Sequence, residues 1–219
     1  IVLNYPSQNR EILTKSKVEL NVQSPKVIDS SIPCVGFIGA GNYASRTLIP
    51  AFKEAGAVLD TLVTSGGISG VHHGNKNQFS TASTETNDLW NNDKINTVSI
   101  VTRHDAHAQQ VVDALKSGKN VFVEKPLALT LDELDIIDKA YHEANKSNTV
   151  RLMVGFNRRY APHIVKMKGL LNSHRSPKSI IMTVNAGAIP GEHWVQNSLI
   201  GGGRIIGEGC HFIDLMRHL

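Results

Sequence analysis

Gly39-Ala40-Gly41-Asn42-Tyr43-Ala44 is the segment whose residue types and spacing speak most directly of chemistry. A short apolar run, Cys34–Ile38, precedes it and a helical pattern follows, and that is the setting in which G-x-G-x-x-G/A carries meaning. Gly39 permits a tight turn, Gly41 lets backbone approach a pyrophosphate, and Ala44 is small enough for the helix to lie against the strand. The helix start at Asn42 and Tyr43 offers unpaired N–H groups and partial positive charge to phosphates. The chemistry is dinucleotide binding. At the end of the second strand an Asp or Glu would hydrogen-bond the adenosine ribose, but Thr64-Ser65-Gly66-Gly67 stands there and Asp60 falls too early. The Thr64 and Ser65 hydroxyls suit either a ribose or a 2′-phosphate. NAD and NADP both stay open, with a slight leaning toward NADP from His72, His73 and Lys76. Two sharper ideas fail. His72-His73 and His104/His107 have no Cys or carboxylate at ligand spacing, so no metal is expected. Gly201-Gly202-Gly203 is not followed by Lys-Ser/Thr, so it is not a nucleotide phosphate loop.

The elements that position these residues alternate. Cys34–Ile38, Ala57–Val63, Thr97–Val101, Asn120–Val123 and Val150–Gly155 read as strands. Helices are expected over Asn42–Ala55, with Pro50 breaking its regularity, over His104–Ser117, and from Thr130. There Glu133 three residues on makes a capping box. Strands alternating with helices of this length imply a doubly wound parallel sheet, the Rossmann α/β arrangement. After Gly155 the texture changes to a helix near 162–172, a β-rich stretch Ser179–Asn185, the glycine-dense loop and a final helix from about His211. Residues 1–32 differ again: an apolar Ile1-Val2-Leu3, a short helix near 9–16, and polar sequence with Pro6, Pro25 and Pro33. The expected organisation is an incoming strand and linker over 1–32, a dinucleotide-binding domain over 33–156, and the start of a second domain over 157–219.

Composition sets the outer limits. The chain has 219 residues, 41% of them hydrophobic and 19% charged, enough to bury a core. No apolar run is long enough to span a bilayer as a helix. Two cysteines, Cys34 and Cys210, exclude a disulfide scaffold and suit a reducing, cytoplasmic setting. Residues 1–150 hold 14 Lys+Arg against 16 Asp+Glu, whereas residues 151–219 hold 9 against 3 and five of the ten histidines. A basic final third attracts anionic ligands. Nucleic acid is disfavoured by the lack of Lys/Arg runs, zinc-ligand spacing or an aromatic RNA-binding motif.

Two further stretches carry a family likeness. One runs from Thr97 through Thr102-Arg103-His104-Asp105-Ala106-His107 to Gly118 and on to Glu124-Lys125-Pro126. The other is Gly201-Gly202-Gly203-Arg204-Ile205-Ile206-Gly207-Glu208-Gly209-Cys210-His211, followed by Asp214. With the Gly39 motif, in this order, the sequence from about Cys34 to Leu219 resembles the glucose–fructose oxidoreductase / inositol dehydrogenase / rhizopine catabolism family. The resemblance implies a nicotinamide cofactor, NAD or NADP, and a substrate domain built on an open, mostly antiparallel sheet and truncated in this chain. It implies an oxidoreductase acting on a carbinol of a sugar or sugar derivative, with the basic segment favouring an anionic one. Homo-oligomers formed through that sheet are expected of the intact protein. Thr102, Arg103, His107, Glu124, Lys125 and Asn157 are implied at the cofactor, in addition to the Gly39–Ala44 turn, Thr64 and Ser65. Arg158 is implied at the cofactor or the substrate and His211 at the substrate; His193 and Trp194, just before the glycine loop, are expected to line a sugar pocket because an aromatic face stacks on a pyranose.

By residue type, His211 can take a hydroxyl proton near neutral pH, and Lys125 can hydrogen-bond the same oxygen and stabilise developing negative charge. Two positions depart from the family: Arg103 follows Thr102 where relatives commonly have proline, and the second is Gly207. Many relatives carry an aspartate four residues before the histidine, where this chain has Gly207, with Glu208 adjacent. The second departure opens a second reading, a nucleotide-binding sensor or scaffold that has lost catalysis. Ile1-Val2-Leu3-Asn4-Tyr5-Pro6 resembles the end of a medium-chain alcohol-dehydrogenase domain, which implies such a domain upstream.

Overall fold

The computed structural model describes residues 15–20, 32–147, 149–173 and 176–219. The expected strand at residues 1–3 lies outside them, as does nearly all of the expected helix near 9–16. Its last two residues, Lys15 and Ser16, are not helical. The chain forms two compact units, one ending at Ser99 and the other beginning at Ile100.

In the first unit, strand β2 (Cys34–Ile38) is buried along its whole length, as a short apolar run without alternation requires of a strand covered on both faces. Strand β3 (Val58–Val63) runs parallel to it. Strand β4 (Thr81–Ser83) runs parallel to β3. Strand β1 (Lys17–Glu19) pairs with β4 antiparallel. Three residues reading Lys-Val-Glu carry no periodicity, so this edge strand was not legible in the sequence. With β5 (Thr97–Ile100) the order is β1-β4-β3-β2-β5. The helix after β2 starts at Asn42, widens into a π-helical turn over Ala44–Leu48, and continues as α1 (Ile49–Glu54). The irregularity has the expected source: Pro50 has no N–H to donate to the carbonyl four residues back, and it sits in the first turn of α1. Helices α2 (Gly67–Asn77) and α3 (Asn87–Trp90) complete the connections. Phe37 anchors the core, edge-on to Phe52 at 5.3 Å and to Phe79 at 5.8 Å between ring centres.

In the second unit, β6 (Asn120–Val123) and β7 (Leu152–Val154) pair in parallel, and the Glu124 amide donates to the Ile100 carbonyl at 2.9 Å. Helix α4 (His104–Lys116) buries Val111, Val112 and Leu115 on one face, and α5 (Leu131–Ser147) packs on α4. The capping box forms: the Glu133 amide donates to Thr130 Oγ1 at 3.2 Å and the Thr130 amide donates to Glu133 Oε2 at 3.1 Å. Parallel strands joined by helices make the Rossmann α/β fold. Beyond it lie a 3-10 turn (Asn157–Tyr160), α6 (Pro162–Asn172), a π-helical turn (Ile205–Gly209) and α7 (Cys210–His218).

One expectation is corrected here. Ser179–Asn185 forms no strand, and no antiparallel sheet is found in the described residues after Asn157. Ile181 is 92% exposed. A lone alternating segment with no neighbouring strand has nothing to receive its ladder bonds. Among the described residues, no helix is long and apolar enough to cross a membrane.

Candidate active site

The glycine turn belongs to the first unit. Gly39 has φ of 100°, a conformation that favours glycine, and its amide donates to the Val63 carbonyl at 2.8 Å. Ala44 is fully buried, so the small third position of the motif meets its packing role, while Gly41, Asn42 and Tyr43 face solvent. A Cβ built at Gly41 would meet nothing within 4 Å. The fold itself does not demand glycine there, and the open space is what an approaching pyrophosphate needs. The helix that follows starts at Asn42, and the first N–H groups of a helix lack a carbonyl four residues back, which suits an anion. At the end of β3, Thr64 Oγ1 donates to the Gly66 carbonyl at 2.8 Å and Ser65 is exposed. Asp60 is buried, accepting from Thr61 Oγ1 at 2.7 Å and Asn92 Nδ2 at 2.8 Å, and is not placed to meet a ribose. These residues fit a dinucleotide.

The second unit holds Lys125 and His211. Strand β6 ends at Val123 and delivers Glu124-Lys125-Pro126, with a cis bond between Lys125 and Pro126. The Lys125 ammonium donates to the Gly207 carbonyl at 2.6 Å. The acceptor is thus the backbone of Gly207, where the family resemblance leads one to expect an aspartate. His211 lies in the first turn of α7, and its Nδ1 is buried without a hydrogen-bond partner. Burial, followed by the nearby Lys125 ammonium and Arg158 guanidinium, lowers its pKa to about 4; Asp214 and Glu208 oppose this only in part. A pKa this low keeps the imidazole neutral at physiological pH.

Both carboxylates near His211 are already engaged. Arg204 Nε donates to Glu208 Oε2 at 2.9 Å, and Arg204 Nη1 donates to the Gly187 carbonyl at 2.6 Å. Arg159 grips the buried Asp214 with two N–H groups, Nε at 2.6 Å and Nη2 alongside. Glu124 has a buried Oε1 without a partner, and burial raises its pKa against the pull of Lys125. A Cβ at Gly155 would stand 2.8 Å from that oxygen, so glycine there makes room for the carboxyl.

The other expected site residues fall into two groups. His107 is fully buried, with Nδ1 2.7 Å from the Pro126 carbonyl and Nε2 3.2 Å from the Thr102 carbonyl. Thr102 Oγ1 donates to Gln110 Oε1 at 2.8 Å. These two groups are spent on the protein itself. Arg103, Asn157, Arg158 and His193 are exposed. Arg103 lies 5.9 Å from the centre of the Trp194 ring, Arg158 lies 4.6 Å from that of Phe212, and His193 Nδ1 accepts from the Val195 amide at 3.3 Å. Trp194 is half-buried and stands edge-on to His104 at 4.8 Å. Sequence reasoning missed His104, whose only signal was its place three residues before His107, and the pairing of Asp214 with Arg159.

This geometry defines a class, a nucleotide-binding Rossmann chain with a lysine and a neutral histidine in its second unit. The comparisons name it more closely. Residues 34–156 match the model of the Gfo/Idh/MocA family, an oxidoreductase family with an NAD-binding Rossmann fold, and the chain belongs to that family. It is 32% identical over 200 residues to Oxidoreductase P35 of Formosa agariphila, covering 84% of this chain and 59% of that protein. It is 33% identical over 151 residues to an inositol 2-dehydrogenase/D-chiro-inositol 3-dehydrogenase of Lactiplantibacillus plantarum, covering 68% and 41%. A levoglucosan dehydrogenase solved with NADH and levoglucosan superposes with a TM-score of 0.72 at 22% identity, over 85% of this chain and 54% of that one. At that identity the likeness shows the fold. The chain spans about half the length of the curated relatives it matches. The cofactor class is NAD or NADP.

Proposed function

We propose that this chain is part of an NAD(P)-dependent oxidoreductase that moves a hydride between nicotinamide and a carbinol carbon of a sugar or sugar derivative. The observation that carries the reading is Lys125, donating at 2.6 Å to Gly207, in the same unit as a neutral His211 with an unpartnered nitrogen. Oxidising a carbinol requires removal of a hydroxyl proton and a hydride. His211 accepts the proton, since an uncharged imidazole is the competent form of a base. Lys125 hydrogen-bonds the same oxygen and stabilises the charge that develops on it. A bound nicotinamide supplies the hydride acceptor, and the product is the corresponding carbonyl compound. Gly39, Gly41, Asn42, Tyr43 and Ala44 hold the pyrophosphate, with Thr64 and Ser65 at the adenosine ribose or its 2′-phosphate. Glu124, Arg103 and Asn157 are assigned to the cofactor as well. Thr102 serves by holding the Gln110 side chain and His107 by holding backbone.

Arg158, His193 and Trp194 are assigned to the substrate. Lys125 and Arg158 both act on His211, and its two neighbouring carboxylates are neutralised by arginines. That balance supports a substrate with an anionic group. Residues 33–156 are assigned to the dinucleotide domain and 157–219 to the beginning of the substrate domain, through which the intact protein forms homo-oligomers. The match to an oxidoreductase family disfavours the reading without catalysis. The test is nicotinamide reduction by the full-length protein with inositols, neutral sugars and uronic acids. Tight NAD(P) binding with no turnover on any of them would overturn the proposal.

A further inference from the structure

We propose that His104 is a positioning residue for Lys125, acting through the glycine turn that carries the lysine's acceptor. The inference rests on the reading of Lys125 as the group that holds the reacting oxygen. His104 opens α4 and is buried. Its Nδ1 lies 2.9 Å from the Gly201 carbonyl. A carbonyl only accepts, so Nδ1 carries the proton and donates. The next residue adds a second tie, since the Asp105 amide donates to the Ile200 carbonyl at 3.2 Å. The start of α4 therefore holds Gly201, from which the chain enters the π-helical turn that carries Gly207.

Gly207 is pressed into the same corner. A Cβ there would stand 3.0 Å from the Gly201 oxygen, 3.2 Å from His104 Cε1 and 3.3 Å from Val195 Cγ1. A side chain at this position would press on His104 and its partner, and the group that meets Lys125 is the Gly207 carbonyl. One turn further along α4, His107 Nδ1 lies 2.7 Å from the carbonyl of Pro126, the residue after Lys125. The first turn of α4 thus fixes both sides of the Lys125–Gly207 hydrogen bond, His107 on the lysine side and His104 on the acceptor side. The site keeps its lysine in place without a carboxylate.

The experiment reads Lys125 directly, without turnover. The full-length protein is pulsed with acetic anhydride, and acylation at each lysine is measured by peptide mass spectrometry, with exposed Lys94 and Lys139 as references. In His104→Leu, acylation of Lys125 relative to the references rises about fivefold, the worth of one hydrogen bond. His104→Asn keeps an N–H able to reach Gly201 and returns the rate toward that of the parent. A His104→Leu protein that melts like the parent with unchanged Lys125 acylation overturns the proposal. So does failure of His104→Asn to restore protection. If His104→Leu unfolds, raising all lysines together, Gly207→Ala decides: it raises Lys125 alone if the proposal holds and leaves it unchanged if not. Turnover on inositols is scored separately. Altered Lys125 acylation in His104→Leu, together with a parent protein that oxidises nothing, would sink the functional reading while leaving the positioning role in place.

Discussion

In the proposed mechanism Lys125 and His211 divide the work, and they predict different failures. Lys125→Met removes the donor to the reacting oxygen, and turnover falls by about 10²–10³ with NAD(P)H affinity little changed. His211→Asn removes the base and costs about 10²–10⁴ in turnover. Stopped-flow nicotinamide reduction and equilibrium cofactor titration separate the two effects. The pKa of His211, near 4 rather than 6.5, places the acidic limb of the rate profile well below pH 6; a limb centred at 6.5 would contradict this. Gly41 gives a third residue-scale prediction. Its open surroundings mean that Gly41→Ala melts as the parent does, while dinucleotide affinity drops about tenfold because the added Cβ stands where the pyrophosphate comes in. Of these residues, Gly39, Gly41 and Ala44 were readable from local sequence, because turn geometry and helix packing are local demands. Lys125 and His211 were suggested by the resemblance, and their partners were not. Gly207 carries no functional side chain, and a backbone carbonyl leaves no mark in a sequence.

Helix starts and turns show the same division one level up. The Thr130–Glu133 box was legible because both partners lie within four residues, and Thr130→Ala should cost about 1 kcal/mol by urea unfolding. The disturbance before Pro50 was equally local. The strand expected over Ser179–Asn185 was not borne out, and β1 was not foreseen, because a strand exists only when another edge accepts its bonds. Arg159 and Asp214 make the non-local point in side chains. Lying 55 residues apart in sequence, they join the 3-10 turn Asn157–Tyr160 to α7. Arg159→Met leaves a buried carboxylate without its partner and should destabilise by about 3 kcal/mol, measured by denaturant unfolding. A variant within experimental error of the parent would show that this pair is dispensable.

Over the whole chain, charge and pH act together. In the window between about 4 and 6.5, an unfolded chain protonates a histidine that the folded site at His211 keeps neutral. Stability therefore rises with pH across that window and is lost as pH falls through it. His104 and His107 are shifted the same way, chiefly by burial. Thermal melting at pH 7 and pH 5 should show the lower midpoint at pH 5. The basic final third predicts that rates with an anionic sugar fall as salt rises, while rates with a neutral inositol do not. The sequence by itself determined the alternation of strands and helices, the dinucleotide turn and the caps, because each depends on residues a few positions apart. Tertiary structure alone decided which groups hold Lys125, which carboxylates are free to act and which histidines are spent on backbone. Those outcomes depend on what long-range packing brings within 3 Å, as when α4 meets Gly201 across 97 residues of sequence.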